Sequence, residues 1–344
     1  MRRLLTSAPR LMRIVPTLLV SGIVLASCVT ASAPHVTGIP SIGISVPLHL
    51  SACTTSDSCI AIGTTSSSTP PTSVGEYRES NGTWSSLVVP NAPSSILTSS
   101  SCVSTTCVIG GVEPAGNLIW KYNASSQSVS ASATPKGGIG IRALDCFAPT
   151  SCVAVIASAA SSISRISFTQ NLATSWSREA PLLWSTNDTI DNIICTDLSN
   201  CLVSAINDQH KLVLEVTHDA GASWSRRRTP SLWSSLSSLT CVNLRCVGIV
   251  TTSTSELIAR TSTFGRQWRW IGAAARPEAL SCTSIDTCVV VGETNANQPW
   301  LAVLNTLSLR MAHLRYVPSP LIDVACGSRI CASIGVSTVL VYRP

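Results

Sequence analysis

The residues with the most chemistry in this sequence are its cysteines. Fifteen occur in 344 residues, and fourteen of them form seven close pairs: Cys53/Cys59, Cys102/Cys107, Cys146/Cys152, Cys195/Cys201, Cys241/Cys246, Cys282/Cys288 and Cys326/Cys331. Each pair has four or five residues between its partners. Thiols at short spacing can bind zinc, cycle between redox states or form a disulfide. Structural zinc prefers Cys-x2-Cys pairs gathered in fours, and redox centres need a reactive, exposed Cys-x-x-Cys. Neither spacing occurs here. A hairpin sets facing Cα atoms about 4.5–5.5 Å apart, which suits a disulfide. Seven local bridges are therefore expected, and they require an oxidising, extracytoplasmic compartment.

Other reactive side chains do not assemble into a known motif. His35, His210, His218, His313 and a fifth histidine are scattered, with no His-x-His or His-x3-His spacing. No metal site is expected. Arg226, Arg227 and Arg228 are consecutive, so in a strand they alternate faces and cannot converge on one anion. No Gly-rich phosphate loop, Ser-nucleophile elbow or His-Glu-x-x-His is present, and no cofactor is expected.

The formal charge of +6 is misleading. Arg2, Arg3, Arg10 and Arg13 precede a charge-free apolar stretch from Ile14 to Ala26, the pattern of an export leader. Removing those four from 23 leaves 19 Lys and Arg against 17 Asp and Glu. A near-neutral chain gives no electrostatic reason to expect nucleic acid. The leader ends in Leu25-Ala26-Ser27-Cys28, which resembles the bacterial lipobox, whose cysteine is acylated. That modification accounts for the one cysteine without a pair mate. A rival cut follows Ala31-Ser32-Ala33, with Pro34 just after it. The expected organisation is a lipoprotein signal peptide over 1–27, an anchor and linker over 28–34, and one domain over 35–344. Membrane attachment is expected through the lipid alone.

Along the domain, the cysteine pairs recur after 49, 44, 49, 46, 41 and 44 residues. Only 12 % of residues are charged, Ser and Thr abound, and no long helical period appears, which favours strands. Each pair is followed by an apolar run, such as Cys59-Ile60-Ala61-Ile62-Gly63 or Cys288-Val289-Val290-Val291-Gly292. A strand buried on both faces reads this way. Third strands are expected at 211–216, 256–259 and 300–304, and fourth strands starting at Trp84, Trp176, Trp224 and Trp268. Four short strands in about 45 residues is the signature of a propeller blade. The fold class is all-β: a seven-bladed β-propeller of four-stranded antiparallel blades, one disulfide per blade. The last repeat lacks a fourth strand, and the segment 35–42 is expected to supply it and close the ring.

A second motif lies between third and fourth strands. Thr217-His218-Asp219-Ala220-Gly221-Ala222-Ser223-Trp224 resembles the Asp box, Ser/Thr-x-Asp-x-Gly-x-x-Trp, of sialidase-type (BNR) propellers. Worn copies run from Thr169 to Trp176, with Asn171 and Ala173 for Asp and Gly, and from Thr261 to Trp268, with Thr263 for Asp. Asn81-Gly82-Thr83-Trp84 keeps only the tail. With the cysteine period, the resemblance covers nearly the whole mature chain. The paired-cysteine blades look like those of exported actinobacterial proteins, and the same plan is similar to photosystem II assembly-factor-like propellers, which are non-enzymatic binders. The resemblance implies that Thr217, Asp219, Gly221 and Trp224 form a structural turn on the face opposite the ligand site.

Sialidase chemistry needs an arginine triad, a Tyr/Glu pair and an Asp acid/base, and the family's Phe-Arg-Ile-Pro motif is absent. Tyr77, Tyr122, Tyr316 and Tyr342 all fall in outer strands. The expected ligand face carries the loops between second and third strands and between blades. It includes Glu113, Lys136, Trp184, Asp188, Asp208, His210, Trp233, Asn297 and Gln298. Trp184 and Trp233 occupy equivalent places in successive blade connections; they either stack on a sugar or partner side chain, or plug the gap between blades. The function expected is a monomeric, lipid-anchored, non-catalytic binding or scaffolding module for an envelope protein or glycan. The alternative is a glycan-active hydrolase on the same scaffold. Three or more charged residues meeting at the centre would favour the enzyme; a bare or Ser/Thr-lined centre would disfavour it.

Overall fold

The repeat builds seven four-stranded antiparallel sheets. The structure is a computed structural model, and it describes residues 37–40, 48–64, 73–78, 84–90, 94–157, 164–177, 180–181, 188–272, 275–284, 286–317, 319–335 and 338–342. Cys28, Trp184 and the segment Asn81–Thr83 lie outside these residues.

In six sheets the strands follow chain order from the inside outwards. The innermost strands are Leu48–Cys53, Ile96–Val103, Gly140–Ala148, Thr189–Cys195, Trp233–Val242, Arg276–Cys282 and Leu321–Cys326. Each touches the innermost strand of the next sheet, and the last touches the first, so the sheets form the blades of a closed ring. Blade seven takes Leu321–Cys326, Cys331–Gly335 and Thr338–Tyr342, and its outermost strand is Thr37–Pro40 from the other end of the chain. The pairing is antiparallel, with Thr37 opposite Val341 and Pro40 opposite Thr338. Both ends thus share one blade, which removes a free sheet edge there.

The seven cysteine pairs face each other at the ends of the first hairpins, and every pair is a disulfide: Cys53–Cys59, Cys102–Cys107, Cys146–Cys152, Cys195–Cys201, Cys241–Cys246, Cys282–Cys288 and Cys326–Cys331. Their Cα atoms are 3.8–4.1 Å apart. The two members of a pair are not equivalent, which their spacing does not reveal. Cys59, Cys107, Cys152, Cys201, Cys288 and Cys331 are 0 % exposed, and Cys246 is 1 % exposed. Each of them lies on a second strand, the one covered on both faces. The oxidising compartment read from the cysteines follows from the bridges.

The core is divided into apolar layers, one between each pair of neighbouring blades. The second strands contribute both faces, as in the wholly buried Ser151–Ala157. Blades five and six are joined by Val247, Ile258, Leu280, Val290 and Trp300, and blades one and two by Ile60, Leu97, Trp120 and Tyr122. Nearly every innermost strand also bulges. In six blades the extra residue is the fourth before the cysteine: His49, Thr98, Arg142, Asp191, Glu278 and Ile322. Blade five shifts register at two other places, Trp233/Ser235 and Ser237/Thr240. Opposite several bulges the second strand supplies glycine. A Cβ at Gly292 would lie 2.0 Å from the Arg276 carbonyl oxygen, so only glycine lets the two strands approach there.

Two fourth strands begin later than the tryptophans suggest. In blade three the strand is Ala180–Pro181, not a run from Trp176. The Trp176 indole N–H instead donates to the Ala133 carbonyl of blade two, at 2.8 Å, which draws this residue out of line with the sheet. In blade four the strand begins at Ser225, with Trp224 buried just ahead of it. Trp84 and Trp268 do open their strands.

Candidate functional site

An innermost strand has a neighbour on one side only. Its other edge leaves backbone N–H groups without a sheet partner, and buried groups of that kind must be satisfied. Aligning the strands on their first cysteine shows how. The residue just before the cysteine accepts from the cysteine N–H of the following blade: Ser101 from Cys146 at 2.9 Å, Asp145 from Cys195 at 2.8 Å, and Ser281 from Cys326 at 3.0 Å. The residue third before the cysteine repeats the device one step further in. Ser99 accepts from the Leu144 N–H at 3.0 Å, and Asp323 from the Ser51 N–H at 2.7 Å and the Ser51 hydroxyl at 2.9 Å. Small polar side chains of one blade thus tie down the backbone of the next.

These strands surround a cavity of about 690 Å³, lined by residues of all seven. Its polar groups are mostly hydroxyls: Thr98, Ser99, Ser100, Ser101, Thr196, Ser238, Thr240 and Ser281. Two carboxylates, Asp145 and Asp323, join them, and among the described residues no Lys, Arg or His lines it. They belong to blades three and seven, on opposite sides of the ring. Burial pushes the Asp145 carboxyl up to about 6, against the lowering effect of bonds from Cys195, Ser101 and Cys146. Asp323 is likewise raised to about 6 by burial, against its bonds from Ser51 and Val324. Asp191, at a bulge, is raised to about 6 by burial. Among the described residues no group of three or more His, Cys, Asp or Glu is placed to hold a metal ion. The cavity is therefore a hydroxyl-lined channel whose two acids both serve as backbone acceptors.

The bridges divide between this channel and the core. The first cysteine of every pair lines the cavity. Its partner is packed into an apolar layer between blades: Cys107 with Ile60 and Leu97, Cys152 with Val108 and Ile119, Cys201 with Val153 and Phe168. Cys59, Cys246, Cys288 and Cys331 are enclosed in the same way. These second cysteines are core residues. Each pair staples the first hairpin of its own blade.

A second polar feature closes the ring. Asp57 sits in the first hairpin turn of blade one at φ 64°. Its carboxylate accepts from the Arg329 guanidinium at 2.8 Å and from the Arg329 N–H at 3.0 Å, across to blade seven. Burial works to raise its pKa, but the several bonds from Arg329 prevail and leave it below the usual carboxylate range.

The turn at Thr217–Trp224 is held by its own side chains. The Thr217 hydroxyl accepts from the Gly221 N–H at 2.9 Å and donates to Asp219 at 2.7 Å, and Asp219 accepts from the Ser223 N–H at 2.8 Å. Gly221 takes φ 83°. The Ser223 hydroxyl and N–H hold exposed Asp219 down at about 2, so it stays ionised and has no proton to give. The worn copies keep the same bonds: Ala173 N–H to Thr169 at 3.1 Å and Ser175 N–H to Asn171 at 2.8 Å, then Gly265 N–H to Thr261 at 3.1 Å and Gln267 N–H to Thr263 at 3.0 Å.

The described residues of the expected ligand face divide between exposed and buried positions. Lys136, Asp208 and His210 are exposed, the last two in the turn that Asn207 organises by accepting from the Gln209 and Lys211 N–H groups at 3.0 and 2.9 Å. None of the three lines the central cavity. Trp233 is 3 % exposed. It opens the innermost strand of blade five and fills the layer against blade four, edge-on to Trp268 and Trp270. It is a plug between blades and offers no ring to a ligand. Asp188 is buried too, which takes it off the accessible face. Asp145, Asp323 and the Asp57–Arg329 pair escaped the sequence reading. A signal existed for the first two: in the aligned repeats they are the only acids at positions otherwise held by Ser, Thr, Asn or small and apolar residues.

Fold and channel make the chain a β-propeller with disulfide-bridged, four-stranded blades. No family model matches it, and no curated protein matches its sequence. Solved structures share the fold. YCF48 bound to D1 peptide is similar with a TM-score of 0.59 at 13 % identity, over 90 % of this chain and 94 % of that one. YCF48 from Cyanidioschyzon merolae gives 0.60 at 11 % identity, over 90 % and 98 %. Virginiamycin B lyase from Staphylococcus aureus, with quinupristin, gives 0.60 at 12 % identity, over 90 % and 99 %. At such identities the likeness concerns the fold. The same architecture carries both a peptide binder and a lyase, so function rests on this chain's own residues.

Proposed function

We propose that this chain is an exported, non-catalytic binding or scaffolding module that presents its propeller to an envelope protein or glycan. The observation that carries the reading is the use of Asp145 and Asp323. Each accepts backbone N–H bonds from the next blade, so the two carboxylates of the channel's described lining hold the scaffold together. YCF48, of like fold, has been solved with a peptide bound, which supports a protein ligand here. Cys28 carries the lipid that holds the module to the outer face of the cytoplasmic membrane, unless cleavage after Ala33 releases it. The turn at Thr217, Asp219, Gly221 and Trp224 is a structural Asp box, and the propeller acts as a monomer.

The test is crosslinking on intact cells, followed by purification and mass spectrometry. Reproducible enrichment of one envelope protein supports the module; enrichment of nothing, with turnover of a glycan, overturns it. The second reading, a glycan-active hydrolase, draws on the raised pKa of both channel acids, about 6. It requires hydrolysis that disappears in both Asp145→Asn and Asp323→Asn. A Cys28→Ala variant with unchanged lipid content would remove the anchor from the proposal.

A further inference from the structure

Residues 226–276 carry eight arginines and a single carboxylate, Glu256, whereas the rest of the mature chain carries 11 Lys and Arg (19 less 8) against 16 Asp and Glu (17 less 1). Arg226 pairs with Glu215, and Arg276 with Glu278. Three others share one face of blade five. Arg260 and Arg269 stand directly opposite each other in its two outer strands. Arg260 also faces Val247 in the second strand, and Arg245 lies two residues before Val247, hence on the same side. This is the side turned to blade six, because Val247 and Ile258 pack there against Leu280 and Trp300.

Facing like charges destabilise a sheet. A single basic residue on an outer strand is explained by protection of a free edge; a facing pair with a third cation beside it is not. Among the described residues, Arg245, Arg260 and Arg269 form no ion pair that would offset the cost. Two adjoining cavities meet at these residues. One, of about 240 Å³, is lined by Arg245, Arg260, Thr306 and Leu307; the other, of about 470 Å³, by Arg260, Arg269, Trp270 and Leu307. Sharing Arg260 and Leu307, they form one groove along the boundary of blades five and six. No carboxylate is among the lining of either. Leu307, 51 % exposed, gives the groove apolar surface, and Trp270, 49 % exposed, follows Arg269 and so borders the same strand from its opposite face, edge-on to Trp233.

The groove runs beside an open sheet edge. Trp268–Gly272 is the outermost strand of blade five, with no further strand paired to it. A Cβ added at Gly272 would meet nothing within 4 Å. We propose that this edge and groove bind an extended acidic peptide, a segment of the partner protein. The peptide adds as a fifth strand through main-chain hydrogen bonds. Its carboxylates take the Arg260 and Arg269 guanidiniums on the face turned to blade six, and its alternate, apolar side chains cover Trp270 on the other face. Carboxylate–guanidinium bonds are charge-assisted and can be bidentate. The combination of a free backbone edge with apolar and cationic side chains favours a peptide over an anionic glycan. The inference rests on the reading of the propeller as a binding module.

The test uses the whole mature chain and a fluorescent synthetic peptide of alternating Glu and Val, read by anisotropy. The peptide should bind at low salt, weaken at high salt and weaken about tenfold or more in Arg260→Gln/Arg269→Gln. These substitutions remove a repulsive pair, so the variant should melt no lower than the parent. Arg142→Gln, on blade three, should bind as the parent does. The Lys/Val counterpart should not bind, and N-methylation of alternate backbone amides should abolish binding. Failure of the Glu/Val peptide to bind, or equal binding to the double variant, overturns the proposal. Binding unchanged by N-methylation overturns strand addition. A response confined to polygalacturonate or to phosphatidylglycerol vesicles assigns the groove to a glycan or a membrane instead. A cell-surface partner that is captured equally by the double variant refutes the groove and leaves the binding-module reading standing. Absence of any captured partner counts against that reading itself.

Discussion

Raising the pH from about 4 to about 7 should weaken this fold, and most of the effect should come from two carboxyls in the channel wall. The Asp145 carboxyl stands at about 6, against an ordinary value of 3.8. Native protein therefore holds that proton more tightly than unfolded chain does. The stabilisation is complete below the unfolded value and is lost as pH rises through the folded one. The gap of about 2 corresponds to about 3 kcal/mol, at 1.36 kcal/mol per pH unit. Asp323 is raised to the same level and adds a comparable amount from the far side of the ring, where no shared partner couples the two. Asp191 and Glu278, also raised, slope the same way. Asp57, Asp197 and Asp219 are lowered, and their contributions disappear only as pH falls below about 4, outside this window.

Asp145→Asn isolates one group. The asparagine carbonyl can accept the Cys195 N–H, and its amide can donate to the Ser101 hydroxyl that now bonds the carboxylate at 3.2 Å. The variant keeps the blade contact without a titrating proton. Urea unfolding without reductant, followed by tryptophan fluorescence between about pH 4 and pH 7, gives the profile. The parent should lose stability across that range, and Asp145→Asn should lose about 3 kcal/mol less. A parent curve that is flat or rises with pH would refute the reasoning. So would an Asp145→Asn curve that superimposes on it.

Three further outcomes follow from single positions. Ala220 is exposed at φ 58°, a region costly for any residue with a Cβ, so Ala220→Gly should raise stability by about 0.5–1 kcal/mol in the same unfolding assay. Removing one staple, Cys282→Ser with Cys288→Ser, should cost about 2 kcal/mol, the chain-entropy value for so short a loop, and the other six disulfides should still map by unreduced peptide analysis. Asp57→Ala leaves the Arg329 N–H without its acceptor and should cost about 1–3 kcal/mol, with faster amide exchange in Thr338–Tyr342, where the first and last blades meet.

Much of the architecture was legible because cysteine spacing is a discrete signal. A pair every 41 to 49 residues fixes where each hairpin turns, and the apolar run after it fixes which strand is buried on both faces. What spacing left open was the setting of each sulfur: Cys102 borders the channel while its partner Cys107 is sealed between blades. The borrowed strand was legible as a missing piece in a counted repeat. Tryptophans gave a weaker signal, because a large ring serves several contexts. Trp84 and Trp268 begin strands, Trp176 reaches back to another blade, and Trp233 fills an inter-blade layer although it lies beside a connection. Its place at the start of a strand decides its burial, and a single sequence does not fix that boundary to within a residue or two.

The polar groups divide by what their repeat equivalents do. Immediately before the first cysteine the seven blades carry Ala52, Ser101, Asp145, Ile194, Thr240, Ser281 and Ala325. Asp145 looks exceptional there by charge but does the work of Ser101 and Ser281, accepting the next blade's cysteine N–H. An acid that keeps its neighbours' hydrogen bond varies the scaffold, and its raised pKa records what burial costs. The arginines of blade five are the opposite case. Arg260 and Arg269 face each other in adjacent strands, where the equivalent pair in blade two is Lys121 with Ser130 and in blade four Val216 with Ser225. Those blades avoid the like-charge pair; blade five keeps it beside a groove and an open edge. Where local rules agree across copies they describe the fold, and an uncompensated departure is where a ligand's contribution belongs.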